Sequence, residues 1–121
     1  MEQLLLHLFG DFIVQNDYVA LNKKKNTLKG WLYCLWHCTT YSLPFLLITG
    51  WRATTLIGIS HFIVDKTNIV PHFLRLRNFA PDTKNFGFLQ DRPFAITIWL
   101  MIFTDNSLHL ILNYLFIRFI G

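Results

Sequence analysis

Seven side chains in this sequence have the types and spacing to do chemistry: His7, Asp11, His37, His61, Asp65, Asp105 and His109. Six of them form pairs spaced i, i+4, namely His7–Asp11, His61–Asp65 and Asp105–His109. On a helix that spacing sets both side chains on one face, a turn apart. Imidazole nitrogens and carboxylate oxygens converging from facing helices are what a metal site inside a bundle needs. Four His and three Asp suffice for two divalent ions with open positions. Mixed N/O ligation makes zinc the leading expectation, with manganese and iron behind it. One carboxylate, Asp65 or Asp105, could serve as general base. Gln15, Asn106 and Asn113 could orient the ligands, because each lies near a ligand or continues its helix face.

The elements that would position these groups read as membrane helices. The chain has 121 residues, of which 53% are hydrophobic and 15% charged. Soluble domains carry about 25% charged residues, and a small domain cannot bury this much apolar surface. The expected fold is all-α: one polytopic domain over 1–121, with about four transmembrane helices at 3–21, 31–51, 53–76 and 94–119. The stretch from Trp31 to Trp51 is uncharged, flanked by Trp as in an interfacial belt, and open to a kink at Pro44. Counted inward at about 1.5 Å per residue, Asp11, Asp65 and Asp105 all fall near mid-bilayer.

Eight of the eleven basic residues fall in two loops, Lys23–Lys29 and Arg75–Arg92. The positive-inside rule makes those loops cytoplasmic, with the termini outside and the protein in a bacterial inner membrane. Clusters of this kind do not resemble a nucleic-acid groove, so no nucleic-acid partner is expected. Lys23–Lys25 reads mainly as a topology signal, and Lys66 as snorkelling to the interface. The loop from Asn78 to Arg92 is expected along the interface. Cys34 and Cys38 read as inert filler, Tyr33 and Tyr41 as packing around His37. The N-terminus lacks the basic start of a secretory signal, so Met1 onward is read as mature protein.

Three aspartates at mid-bilayer would cost roughly 8–10 kcal/mol unless paired, protonated or metal-bound, at about 2.5–3.5 kcal/mol each. Metal binding neutralises two carboxylates at once. An unmetallated polar or proton-relay network is the competing account. A soluble helical bundle and an ion conduit are weaker, the latter because Leu43–Ile48 offers no polar path.

The order of these motifs resembles that of a known family. His7-Leu-Phe-Gly10-Asp11-Phe-Ile-Val-Gln15 resembles the opening signature of domain-of-unknown-function family 3307, small bacterial and phage membrane proteins. The family pattern continues with a His in the second span, His-x-x-x-Asp in the third and Asp-Gln-x-x-His in the fourth. His37, His61 to Asp65, and Asp105 to His109 match it, and the Lys23–Lys29 stretch ending at Gly30 also fits. Asn106 stands where the family has Gln, and Asn68 stands near the place of a family Lys. The resemblance covers nearly the whole chain. It implies the fold and ligand set, and no settled reaction. The arrangement is also similar, by analogy, to membrane-bound metal-dependent hydrolases.

Two functions follow as expectations. The first is a membrane-embedded metal-dependent hydrolase of a lipid or phosphoester. The second is a non-enzymatic phage or bacterial effector that binds a host membrane protein and keeps the cluster for structure.

Overall fold

Where the sequence predicts one helix over 3–21, the computed structural model, which describes residues 1–121, has three short pieces. Helix α1 spans Glu2–Leu8, a π-helical turn covers Phe9–Val14, and α2 spans Asp17–Asn22. The break has a local cause. Gln15 and Asn16 are extended, and the Asn16 side chain accepts from the Val19 amide at 2.9 Å, the capping bond that starts a new helix. None of the three pieces approaches the roughly 20 residues a bilayer core requires.

Helix α3 spans Leu28–Ser42 and begins at Thr27, whose hydroxyl accepts from Gly30 N at 3.1 Å. Gly30 must lack a side chain, since a Cβ there would strike the carbonyl oxygen of Lys25. The kink expected at Pro44 takes the form of a change of helix type, a 3₁₀ helix over Leu43–Leu47. Helix α4 spans Trp51–Lys66 and α5 spans Ile69–Arg77, in place of a single helix over 53–76. Pro71 accounts for that division: in a continuous helix its ring would collide with the carbonyl of Thr67, four residues earlier. Helix α6 spans Phe94–Ile120, 27 residues or about 40 Å. It is the one helix long and apolar enough to cross a membrane. The fold is therefore all-helical as expected, but the expected four spans are reduced to one helix of spanning length.

The chain divides into two compact units, Met1–Thr67 with His109–Gly121, and Asn68–Leu108. In the first, Tyr41, Phe45 and Ile57 are fully buried, with Leu6, Ile48, Phe116 and Ile117 packed on them. Helix α4 approaches α3 closely at Gly58, where a Cβ would lie 3.0 Å from Ser42 Oγ. Beside the smaller buried side chains Val19, Cys34, Cys38, Ala53 and Val64, this interior holds an unusual set of polar ones: His7, His37, His61, His109, Asp65 and Lys23 are all buried. Phe12, Ile13, Trp36, Leu47 and Trp51 are instead more than half exposed. Buried His, Asp and Lys beside large apolar side chains left exposed depart from an ordinary soluble domain, which buries its large apolar side chains first.

In the second unit Val70, Leu74, Ala80 and Phe88 are buried, and Asn85 organises the loop. Its Nδ2 donates to the carbonyls of Leu89 and Arg92 at 2.9 and 3.2 Å, and its Oδ1 accepts from Thr97 Oγ1 at 2.8 Å. Gly87 has φ +83° and lies against the backbone of Pro71 and Arg75, where a side chain would be strained and obstructed. The loop is folded into this unit: Phe79 is exposed, but Phe88 is turned inward.

Candidate metal centre

Four side chains from three elements converge in the first unit. The π-helical turn carries Asp11, α3 carries His37, and α4 carries His61 and Asp65. His37 Nε2 and His61 Nε2 are 3.0 Å apart. Asp11 Oδ1 lies 3.2 Å from the first and 3.3 Å from the second. Asp65 Oδ2 lies 3.3 and 3.4 Å from the same two nitrogens. The two imidazole nitrogens form a shared edge, with Asp11 Oδ1 and Asp65 Oδ2 each facing it. The three edges among Asp11, His37 and His61 are near the roughly 3.3–3.6 Å between ligands of a tetrahedral ion with bonds of about 2.0–2.2 Å. The residues could hold a metal ion: Asp11, His37 and His61 form one group with converging ligand atoms, and His61, Asp65 and His109 form another. The two groups share His61. An imidazole nitrogen has one lone pair, so one nitrogen cannot serve both at once.

The π-helical segment matters to this geometry. Its i→i+5 bonds are rare in helices and recur at functional sites. Gly10, beside Asp11, is buried, and a Cβ there would run into the Tyr41 ring. Small size at position 10 is what lets the turn carrying Asp11 lie against α3.

Behind the four groups stands a hydrogen-bonded line. Asn113 Nδ2 donates to Tyr41 Oη at 2.6 Å. Tyr41 Oη lies 2.7 Å from His7 Nδ1, and His7 Nδ1 is 3.4 Å from Asp11 Oδ2. His7 Nδ1 either accepts the Tyr41 hydroxyl proton or, when it carries its own proton, donates to Tyr41 Oη and faces Asp11 Oδ2 as a donor. The Tyr41 ring also stacks on His61, centroids 3.7 Å apart, and His61 stacks on His109 at 4.0 Å. Tyr41 thus fixes one ring by stacking and another by hydrogen bonding, a larger part than the packing role its sequence position suggested. The Nδ1 atoms of His37 and His61 are buried with no hydrogen-bond partner, so each ring makes its polar contacts through Nε2.

Lys23 is the participant the sequence reading missed. It is 9% exposed, and its Nζ donates to Asp65 Oδ2 at 2.5 Å. What reads as the first residue of a basic topology signal is a buried partner of the Asp65 carboxylate. Lys66 does not snorkel freely either. Its ammonium donates to the carbonyls of Lys23 and Lys25 at 2.9 and 2.8 Å and sits over the Trp31 ring. It closes the loop that delivers Lys23. The one available signal was adjacency: Lys23 follows α2 directly, whereas Lys24, Lys25 and Lys29 are exposed.

The other expected residues are placed as follows. His109 is 2% exposed, with Nε2 3.8 Å from Asp65 Oδ1. Asp105 is half-buried one turn earlier on α6, in the segment that belongs to the second unit, and joins neither group of converging ligands. Asn106 donates its Nδ2 to Ile102 O at 2.7 Å, within its own helix. Gln15 is half-buried at the end of the π-helical turn, and its Oε1 is buried without a hydrogen-bond partner. Tyr33 makes an edge-to-face contact with Tyr18.

No curated protein and no solved structure matches this chain. The family model described as Protein of unknown function (DUF3307) matches residues 1–119, and the chain belongs to that family.

Proposed function

We propose that this is a membrane-embedded metal-binding protein that holds a divalent ion, zinc in the first instance, and uses it to hydrolyse a lipid or phosphoester. The observation that carries this reading is the convergence of Asp11 Oδ1, His37 Nε2 and His61 Nε2 at 3.0–3.3 Å, three ligand atoms that would leave a fourth position open, with Asp65 Oδ2 3.3–3.4 Å from both imidazoles. Charge supports it. The buried Asp65 and half-buried Asp11 carboxylates face one lysine ammonium, so a cation, or a proton on an imidazole, must balance the remainder. A divalent ion there would supply Lewis-acid polarisation of an acyl or phosphoryl oxygen and a water acidified to a pKa of about 7. Lys23 would hold the Asp65 carboxylate in place, Tyr41 would orient His61 and His7, and Asp65, which faces both imidazoles, would be the general base.

Membrane residence is supported by the length and composition of α6 and by the exposed Phe12, Ile13, Trp36 and Leu47 around a polar interior. The inner membrane, the cytoplasmic basic loops and the multi-pass arrangement belong to this proposal.

A specific observation favours the second reading, an effector with a structural centre. The groove between α3 and α4, about 490 Å³, is lined by Leu35, Leu43, Leu46, Trp51, Ile59 and Phe62 among others, and by none of the centre's His or Asp residues. An apolar groove of that kind suits a helix of a host membrane protein.

Elemental analysis of detergent-purified protein, followed by lipid and phosphoester hydrolysis assays, separates the readings. About one equivalent of zinc, with turnover lost in Asp11→Ala, supports the enzyme. Bound metal without turnover on either substrate class moves the centre to a structural role. No metal in folded protein after loading with zinc and manganese removes the metal reading altogether.

A further inference from the structure

Cys34 and Cys38 lie one turn apart on α3, 0% and 2% exposed. Their sulfurs and an Asp65 carboxylate oxygen all fall within 4.8 Å of one another. Two thiols and a carboxylate at that range are a ligand set, and a soft one. Thiolates select thiophilic ions such as zinc, copper(I) or cadmium over the hard ions that carboxylates alone prefer. The α3–α4 groove reaches the edge of this set at Cys38, which lines it together with Thr39, Ser42 and Gly58, whereas Cys34 and Asp65 do not line it. The groove thus brings the surface up to one thiol of the pair, Cys38.

We infer that Cys34, Cys38 and Asp65 form a second, thiophilic cation site, entered from the α3–α4 groove and joined to the His/Asp centre through Asp65. Binding a divalent ion there releases one proton from each thiol, because the thiolate is the ligand. The entering ion contests Asp65 with Lys23, whose Nζ lies 2.5 Å from Asp65 Oδ2. Lys23 thereby sets the threshold of the second site: it serves as the carboxylate's cation until a metal takes over. The two sites need different side chains except for Asp65, so they can be told apart.

The probe is cobalt(II), titrated into full-length detergent-purified protein. Thiolate ligation gives a near-ultraviolet sulfur-to-cobalt charge-transfer band, whereas nitrogen and oxygen ligation gives only visible d–d bands. The expected result in wild type is the charge-transfer band with two protons released for that equivalent. Cys34→Ser with Cys38→Ser loses the band and one equivalent and keeps the d–d bands. Lys23→Met tightens binding at the thiol site about tenfold, the scale of one charge-assisted hydrogen bond removed from competition. A wild-type protein saturated with cobalt and lacking the charge-transfer band overturns the inference, whether or not the serine variant folds. A second equivalent that survives both serines overturns it too. His37→Ala separates the two sites. The charge-transfer band persisting without the d–d bands of the His/Asp centre leaves the thiol site standing alone. The d–d bands without charge transfer in wild type leave only the His/Asp centre.

Discussion

The sequence His-x-x-x-Asp occurs twice in this chain, at His7–Asp11 and at His61–Asp65, and the two copies do different things. In the α4 copy both members enter the cluster, His61 through Nε2 and Asp65 through Oδ2. In the copy that runs from α1 into the π-helical turn, Asp11 enters while His7 turns its Nδ1 to the Tyr41 hydroxyl at 2.7 Å. Spacing puts His and Asp on one face in both cases. What distinguishes them is the neighbour each ring meets. His61 lies between the Tyr41 and His109 rings, which hold its plane so that Nε2 faces the carboxylates. His7 meets the edge of Tyr41 instead, with the ring planes 85° apart. A spacing rule finds the residues; ring contacts decide which of them turn into the cluster.

The comparison breaks most sharply at Asp65. Asp65→Ala removes the carboxylate that faces both His37 and His61 and leaves the buried Lys23 ammonium unpaired. The expected outcome is loss of bound zinc together with destabilisation of about 3–5 kcal/mol, the scale for stranding one partner of a buried pair. Elemental analysis beside unfolding in detergent checks both. A variant that keeps its metal and its stability would mean that Asp65 is not the hub. Lys23→Met in the Asp65→Ala background tests the cause, since removing the stranded charge should recover part of the lost stability.

The next effect compares the two histidines directly. His61→Ala should abolish high-affinity metal binding. His7→Ala should weaken it by about 10–100-fold, the usual size when an outer partner of a ligand is lost. Competition with a chelator measures both constants. Equal losses in the two variants would place His7 among the ligands and erase the distinction drawn between the copies.

How much of this was legible follows from what each feature depends on. The i, i+4 pairs, the helical class and the polar interior are periodic properties of the chain, and they read directly from residue spacing. The break at Thr67 was also legible, because Pro71 cannot sit in a helix that includes the Thr67 carbonyl. The apolar run up to Asp65 hid it. The end of the first helix at Gln15 depended on Asn16 acting as a cap, a signal as short as one side chain. Lys23 was not legible from charge patterning, since Lys23, Lys24 and Lys25 are identical as residues and only one is buried. Its role is set by Lys66, 43 positions away, which holds the loop by two carbonyls. Long-range placement of that kind leaves no local pattern to find.

The smallest effects lie with the two tyrosines that flank His37 one turn to either side. Tyr41→Phe keeps the ring stacked on His61 but removes the hydroxyl between Asn113 and His7. The Asn113 amide then loses its acceptor and His7 Nδ1 its nearest partner, at about 1–3 kcal/mol for a buried polar group left unsatisfied. Metal affinity should fall by less than in His7→Ala, because Tyr41 acts on the ligands only through His7 and the stacked ring. Tyr33 occupies the equivalent place on the other side of His37 but packs edge-to-face on Tyr18, centroids 5.3 Å apart. Tyr33→Phe keeps that ring contact and should change stability by no more than about 0.5 kcal/mol, with metal affinity unchanged. Chelator competition and thermal unfolding of the two variants side by side decide the matter. If Tyr33→Phe weakens metal binding as much as Tyr41→Phe does, symmetry about His37 governs the centre, and the Asn113–Tyr41–His7 line has no special part in it.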